Sequence, residues 1–255
     1  MIDLPAMPSF RLDGRRALVT GGSRGLGLAA ATALAAHGAE VTLVARGEAE
    51  VRAAAEAIRA VGGRAEAATL DVTDKAATDG LIAEHGPFQV LFNNAGAIRP
   101  ALAVETSEAD FDAVMAINAR AAFFVASAVA RGLQAAGLPG SIINVSSQMG
   151  HVGAPKRAVY SASKHALEGM TKAMAWEWGA SGIRVNTVCP TFIETPLNRR
   201  ALADPAFRDF VVSNIALGRL GELAEIMGPV VFLASDASSL VTGSALMVDG
   251  GWTAM

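Results

Sequence analysis

A single-domain α/β fold, a doubly wound parallel sheet with helices on both faces, is predicted by three features of this sequence. Short apolar, β-prone segments recur along its 255 residues. Helical patterns separate them almost throughout. The apolar segments are near-continuous rather than alternating, as in strands covered on both faces.

In order, the expected strands span 17–20, 41–44, 65–70, 90–93, 141–145, 183–188 and 245–248, and the expected helices 26–37, 48–61, 75–84, 107–133, 158–178 and 223–234. The first strand, Ala17-Leu-Val-Thr20, runs into Gly21-Gly-Ser-Arg-Gly25-Leu-Gly27 and then an alanine-rich helical stretch. Strand, glycine loop and helix in that order make a phosphate cradle, since the glycines allow close backbone approach and the helix N-terminus offers free N–H groups. Asp71 or Thr73 would cap the helix that follows the third strand. Asn118 is a polar interruption of an otherwise apolar helix. The stretch 191–217 breaks the rhythm: with Pro190, Pro196 and Pro205 it reads as a loop with short helices, a substrate-loop insertion that can cover a site. No repeat, low-complexity tract or linker divides the chain, so residues 1–255 are expected to form one domain.

Composition narrows the function classes. Hydrophobic residues make up 52% and charged ones 18%, with mean hydropathy +0.37, enough for a large core and for apolar subunit contacts. The longest apolar run, 114–133, is broken by Asn118, Arg120 and Arg131, so no membrane span is expected. The start lacks a basic n-region followed by an apolar core, and no export signal is expected. The one cysteine, Cys189, excludes an internal disulfide and fits a reducing cytoplasm; its apolar surroundings suggest a buried structural thiol. Net charge is −3 without a basic stripe, which argues against a nucleic-acid partner. His37, His85 and His165 show no metal-ligand grouping, and no metal site is expected.

Tyr160 and Lys164 are one helical turn apart and share a face. A phenol is a poor acid or base near neutrality, but a neighbouring positive charge favours the phenolate and turns it into a usable proton-transfer group. Thr20-Gly-Gly-Ser-Arg-Gly-Leu-Gly27, Asn93-Asn-Ala-Gly96, Asn118, Ser147 and Tyr160-x-x-x-Lys164 occur in an order and at separations resembling the short-chain dehydrogenase/reductase family, over about residues 12–252. The resemblance implies a Rossmann-type fold and a hydride transfer between a nicotinamide and a secondary alcohol or ketone. Its catalytic set would be Asn118, Ser147, Tyr160 and Lys164: Tyr160 exchanges the proton, Lys164 lowers its pKa and holds the nicotinamide ribose, Ser147 orients the substrate oxygen, and Asn118 joins a water relay to Lys164 or is simply a buried, backbone-bonded asparagine. Ser147 is preferred to Ser146 because Ser147-Gln-Met-Gly150 fits the family's spacing.

For the cofactor, Gly21, Ser23, Arg24, Gly25, Leu26 and Gly27 would hold the diphosphate. No carboxylate stands at the tip of the second strand, where an NAD site places one on the ribose hydroxyls. Arg46 stands there instead and, with Arg24, could fork around a 2′-phosphate, so NADP(H) is favoured over NAD(H); in the alternative, Glu48 takes the ribose. Asp71 and Val72 resemble the family's adenine-contacting pair. Asn94, Ala95 and Gly96 contact the ribose or form a structural turn. The resemblance places Ile193 and Thr195 near the carboxamide, although Pro190-Thr191 replaces the family's frequent Pro-Gly. Gln148, His151 and Phe192, with Arg99, would line the substrate mouth. The substrate class is a 3-oxoacyl thioester or a small polyol, sugar acid or cyclic ketone. An NAD-dependent polyol or sugar-acid dehydrogenase is the alternative within this chemistry, and a non-catalytic dinucleotide-binding redox sensor the alternative outside it. The tail at 243–255 implies a homo-oligomer, a dimer or tetramer.

Overall fold

The computed structural model describes residues 3–195 and 198–254; residues 1, 2, 196, 197 and 255, and hence Pro196 of the substrate loop, lie outside. Strands β1 (Arg16–Thr20), β2 (Glu40–Ala45), β3 (Arg64–Thr69), β4 (Val90–Asn93), β5 (Gly140–Val145), β6 (Ile183–Pro190) and β7 (Ala245–Val248) form one seven-stranded sheet in the order β3-β2-β1-β4-β5-β6-β7. Every pairing is parallel. Helices α1 (Gly25–Ala36), α2 (Glu48–Ala60), α3 (Lys75–His85), α4 (Glu108–Met115), α5 (Ala122–Ala136), α6 (Ala158–Trp178), α7 (Arg199–Leu202), α8 (Pro205–Ser213) and α9 (Ala224–Ala234) cover it.

Alternation along the central strands divides the core. Val19, Phe92 and Ile143 pack with α1, α2 and α9, while their neighbours Leu18, Leu91 and Ile142 pack with α3, α5 and α6. Successive strand residues face opposite sides of the sheet. Both sides of the central strands being covered, Ala17-Leu-Val19, Val90-Leu-Phe92 and Ile142-Ile143 are unbroken apolar runs. Chain order winds outward from β1 to β3, then returns through α3 to place β4 on the other side of β1. A crevice opens at the carboxyl ends of the strands where the winding reverses.

Two expectations change. The helix read across 107–133 is one rod, Glu108–Ala136, but a π-helical turn at Ala116–Ala121 divides α4 from α5. By length and composition this rod is apolar enough to cross a membrane, despite Asn118, Arg120 and Arg131; half of its most apolar window is buried inside the fold. The cap of α3 is neither Asp71 nor Thr73. Asp74 accepts from the Ala77 N–H at 3.0 Å, and Asp71 closes its own turn, accepting from the N–H and hydroxyl of Thr73 at 2.9 and 2.7 Å.

A buried polar ladder crosses the sheet under the crevice. Asn93 donates to the Ala122 carbonyl (2.8 Å) and to Asn144 Oδ1 (3.0 Å), and Asn144 donates to Thr171 Oγ1 on α6 (2.9 Å). Each link satisfies a group that would otherwise be buried unpaired. Asn93→Leu keeps the volume but strands two acceptors, so unfolding in denaturant should show a loss of about 2–4 kcal/mol. An unchanged midpoint would mean that the ladder contributes no net stability.

Candidate active site

A cleft of about 340 Å³ occupies the crevice. Gly21, Ser23, Arg24, Gly25 and Leu26 form its floor. Arg46 stands at one end and Asp71 and Val72 beside it; Asn94, Ala95 and Gly96 form the β4 side, and Thr195 faces them from the substrate loop. Gly27 is beneath rather than in it. A Cβ at Gly27 would stand 2.1 Å from the Gly21 carbonyl oxygen, so only glycine lets the helix start against the turn. Gly21 and Gly25 have φ of +64° and +56°, in the left-handed region. Helix α1 begins at Arg24 with no side-chain cap, whereas α3, α4 and α8 are capped by Asp74, Ser107 and Asp204. Its free N–H groups face the cleft floor and suit a diphosphate. The residues present therefore fit a dinucleotide.

Asn94 does structural work as well as lining the cleft. Its amide donates to the Thr20 and Gly21 carbonyls at 3.0 and 3.2 Å, tying β4 to the glycine turn. Ile193 is buried in the core, makes an isolated bridge to Gly221, and does not line this cleft. Glu48 turns away to pair with Arg52 at 2.8 Å, leaving the ribose end to other groups. Arg46 lies close enough to Asp71 to help hold its carboxyl below the usual range, after the two hydrogen bonds from Thr73.

The catalytic candidates converge where β4, β5 and α6 meet. Lys164 is buried, and its ammonium donates to the Val145 carbonyl at the end of β5 at 2.7 Å. Burial pulls its pKa down to about 8, against the fields of Cys189 and Glu168. Its Nζ is 5.7 Å from the Tyr160 ring centroid. Burial raises the Tyr160 pKa, and a hydrogen bond with Ser147 and the nearby Arg157 charge oppose that rise. Ser147 and Arg157 thus favour the phenolate here. Ser147 Oγ accepts from the Met149 N–H at 3.1 Å, which fixes the hydroxyl beside the phenol.

Asn118 sits in the π-turn, 1% exposed. Its side chain accepts from the Ala97 N–H (2.8 Å) and donates to the Ala97 carbonyl (2.9 Å) and Ser163 Oγ (3.0 Å). It thereby clamps the segment after Gly96 to helix α6, the backbone-bonded role weighed from the sequence. Such wide turns recur at functional sites.

The mouth beyond Tyr160 is an apolar lobe. Phe192 stacks on Phe207 and Trp252 with centroids 5.8 and 5.9 Å away, and this cluster reaches Tyr160 and Met149. Helices α7 and α8 of the substrate loop supply part of it. Gln148 is 1% exposed, packed inward, and its Oε1 has no hydrogen-bond partner among the described residues. His151 is 30% exposed and turns toward Glu168, while Arg99 pairs at the surface with Asp110.

Comparison with known proteins decides the family. A family model described as enoyl-(acyl carrier protein) reductase matches residues 21–253. Gluconate 5-dehydrogenase of Gluconobacter oxydans (strain 621H) is 43% identical over 248 residues, covering 96% of each chain. L-xylulose reductase of Bos taurus is 42% identical over 96% of this chain and 99% of its own. The crystal structure of a gluconate 5-dehydrogenase from Burkholderia cenocepacia J2315 in complex with NADP and tartrate superposes with TM-score 0.92, at 40% identity, over 98% of this chain and 99% of that one.

The chain belongs to the short-chain dehydrogenase/reductase family. It is an oxidoreductase acting on CH–OH groups with NAD(P), and the seven-stranded parallel sheet is the one its structural relatives share.

Three features of this dehydrogenase escape a sequence reading. Glu50 lines the cleft near Arg46, although nothing but its place on the first turn of α2 distinguishes it from other surface glutamates. Half-buried Arg157 faces the Tyr160 phenol from outside any motif. His151, Glu168 and Cys189, from three separate elements, come within 4.8 Å of one another, so the absence of a metal-ligand spacing in the sequence does not carry over to the fold.

Lys164 has a cost that pH should reveal. Its folded pKa of about 8 lies below the ordinary 10.5. Below pH 8 both folded and unfolded chains carry the charge, and the burial penalty, up to ~3 kcal/mol, is fully present. Between those values only the unfolded chain remains protonated, and stability rises. Lys164→Met should raise the melting temperature at pH 7, with the gain shrinking toward pH 10.5, as read by scanning calorimetry across pH. A gain independent of pH would assign the effect to packing instead.

Proposed function

We propose that this chain is a cytoplasmic, NADP(H)-preferring dehydrogenase of a small polyol or sugar acid, working as a homo-oligomer through Ser147, Tyr160 and Lys164 with Asn118. The observation that carries the cofactor preference is the pair of arginines, Arg24 and Arg46, lining the cleft while Glu48 is engaged by Arg52. Cations with planar donor forks suit a 2′-phosphate. A relative of known structure holds NADP, which supports the same choice. Glu50 favours a second reading, NAD preference, because its carboxylate could accept from ribose hydroxyls.

In this mechanism the bound nicotinamide supplies or accepts the hydride. Tyr160 gives the proton to the developing alkoxide or takes it from the alcohol. Ser147 holds the substrate oxygen toward the phenol, and the Met149 N–H keeps that hydroxyl in place. Lys164 is positioned by Val145 to hold the nicotinamide ribose, and Asn118 fixes the wall behind it. Asp71 and Val72 meet the adenine, Asn94, Ala95 and Gly96 the ribose, and Thr195 and the Ile193 backbone the carboxamide end. A redox sensor would have no use for this full catalytic set.

Two features support a polyol or sugar acid over a 3-oxoacyl thioester. Close relatives act, by name, on gluconate and L-xylulose. Arg157, partly stripped of water, has no carboxylate partner among the described residues and faces the phenol, where an acidic substrate's carboxylate would meet it. Association is supported by exposed apolar side chains on the outer helices, Phe123 on α5 and Trp176, 90% exposed, on α6.

Calorimetric titration with NADPH and NADH tests the cofactor choice: NADPH should bind at least about tenfold tighter, and Arg46→Ala should erase most of that margin. Tighter NADH binding would establish the Glu50 reading. Tyr160→Phe should lower turnover of an accepted polyol by at least about a hundredfold with cofactor affinity retained; near wild-type turnover would remove Tyr160 from the chemistry.

A further inference from the structure

Behind the catalytic lysine, three potential ligands meet from three elements: His151 on the loop after Ser147, Glu168 on α6 one turn beyond Lys164, and Cys189 near the end of β6. His151 Nε2 lies 3.4 Å from Glu168 Oε1 and 3.5 Å from Cys189 Sγ, and Cys189 Sγ lies 3.3 Å from Glu168 Oε1. One imidazole nitrogen, one carboxylate oxygen and one sulfur therefore mark a nearly equilateral triangle. Tetrahedral zinc with ordinary bond lengths to these atoms would separate them by about 3.3–3.6 Å. The triangle matches one face of that tetrahedron.

The surroundings fit a ligand set. Thr187 donates to Glu168 Oε2 at 3.0 Å, which anchors one carboxylate oxygen and turns the other toward the sulfur and the imidazole. Such outer hydrogen bonds orient metal ligands. The Thr187 hydroxyl also lies 3.3 Å from Cys189 Sγ, so one side chain touches two of the three ligands. Glu168 and Cys189 are buried and the His151 side chain is 30% exposed, so the cluster meets solvent on its His151 side. Mixed sulfur, nitrogen and oxygen donors suit zinc and its close substitute cobalt and discriminate against magnesium and calcium.

We propose that His151, Glu168 and Cys189 form a binding site for a zinc-type divalent cation that inhibits the enzyme. Binding exchanges the thiol proton, released to solvent, for a metal–sulfur bond, and the metal replaces the direct contacts within the triangle. It ties the loop carrying Ser147 and His151 to the helix carrying Tyr160 and Lys164. The mouth of the site is then held in one conformation, and turnover falls when substrate must enter or leave.

Cobalt(II) titration of the tag-free protein tests the site without reference to any substrate. Because Cys189 is the only cysteine, a thiolate-to-cobalt charge-transfer band in the near ultraviolet can arise from no other residue. The expected result is a band saturating at one cobalt per chain, absent in Cys189→Ser and shifted to at least about tenfold weaker affinity in Glu168→Gln. Circular dichroism and NADPH binding establish that each variant is folded. Zinc should displace the band and, in the polyol assay, inhibit the wild type reversibly on addition of chelator, while Cys189→Ser turns over normally and resists zinc. No band in the folded wild type, or a band surviving in Cys189→Ser, would overturn the site. Equal zinc inhibition of the wild type and Cys189→Ser would overturn its inhibitory role.

Discussion

The active site depends on one buried contact, the Lys164 ammonium on the Val145 carbonyl at 2.7 Å. A charge removed from water requires an acceptor, and the last carbonyl of β5 supplies it where the sheet ends. The contact ties α6 to the carboxyl end of β5. Ser147, two residues beyond Val145, and Tyr160, one turn before Lys164, are carried into register by the same bond. The phenol and the serine hydroxyl then meet without a direct link between their own backbones. A lysine neutralised by its burial would lose part of this hold, so the neighbouring negative field of Glu168 also helps to keep the site in shape.

Polar side chains under the cleft extend that control to the rest of the fold. The Asn93–Asn144–Thr171 ladder joins two central strands to the catalytic helix. Asn118 joins the same helix to the strand-end segment after Gly96. Each of these groups would be costly if left unpaired, so the ladder discriminates against shifts of α6 that an apolar interface would tolerate. Stability and positioning come from the same atoms. The catalytic end is consequently over-determined, whereas the side chains of the mouth, Phe192, Phe207 and Trp252, meet one another through apolar packing.

The parts of this architecture legible in the sequence are those with a local signature. Near-continuous apolar strands announced a sheet covered on both faces, and their predicted bounds differ from the observed ones by a residue or two at most ends. Gly27 was legible because a backbone contact with Gly21 excludes every other residue. The π-turn at Asn118 was not, because one extra residue in a helical turn leaves the apolar pattern nearly intact. Position alone marked Ile193 as a cofactor residue; that its side chain turns into the core beside a bridge to Gly221 has no local signature. The cap of α3 fell to Asp74 because Asp71 spends its carboxylate on its own turn. The meeting of His151, Glu168 and Cys189 depends on sheet order and helix rotation together, neither of which a linear spacing records.

The two ends of the site consequently face different constraints on specificity. At the proposed adenosine end the cleft carries long, exposed side chains, Arg24 before α1 and Arg46 just after β2, with Glu50 and Asp71 among its lining. Substitutions there would leave the core undisturbed. At the catalytic end the reacting groups are locked, and variation is confined to the lobe that α7 and α8 build over Tyr160. Arg157 stands between the two regimes. It precedes the first turn of α6, close enough to act on the phenol, and among the described residues its guanidinium donates to the Lys156 carbonyl alone. A carboxylate arriving on the substrate would compete with the phenolate for that cation. Binding an acidic substrate would therefore weaken one of the groups that lowers the Tyr160 pKa, leaving the charge of the oxidised nicotinamide to compensate. With Arg157 so engaged, a positive ring beside the phenol would be the group left to favour the phenolate.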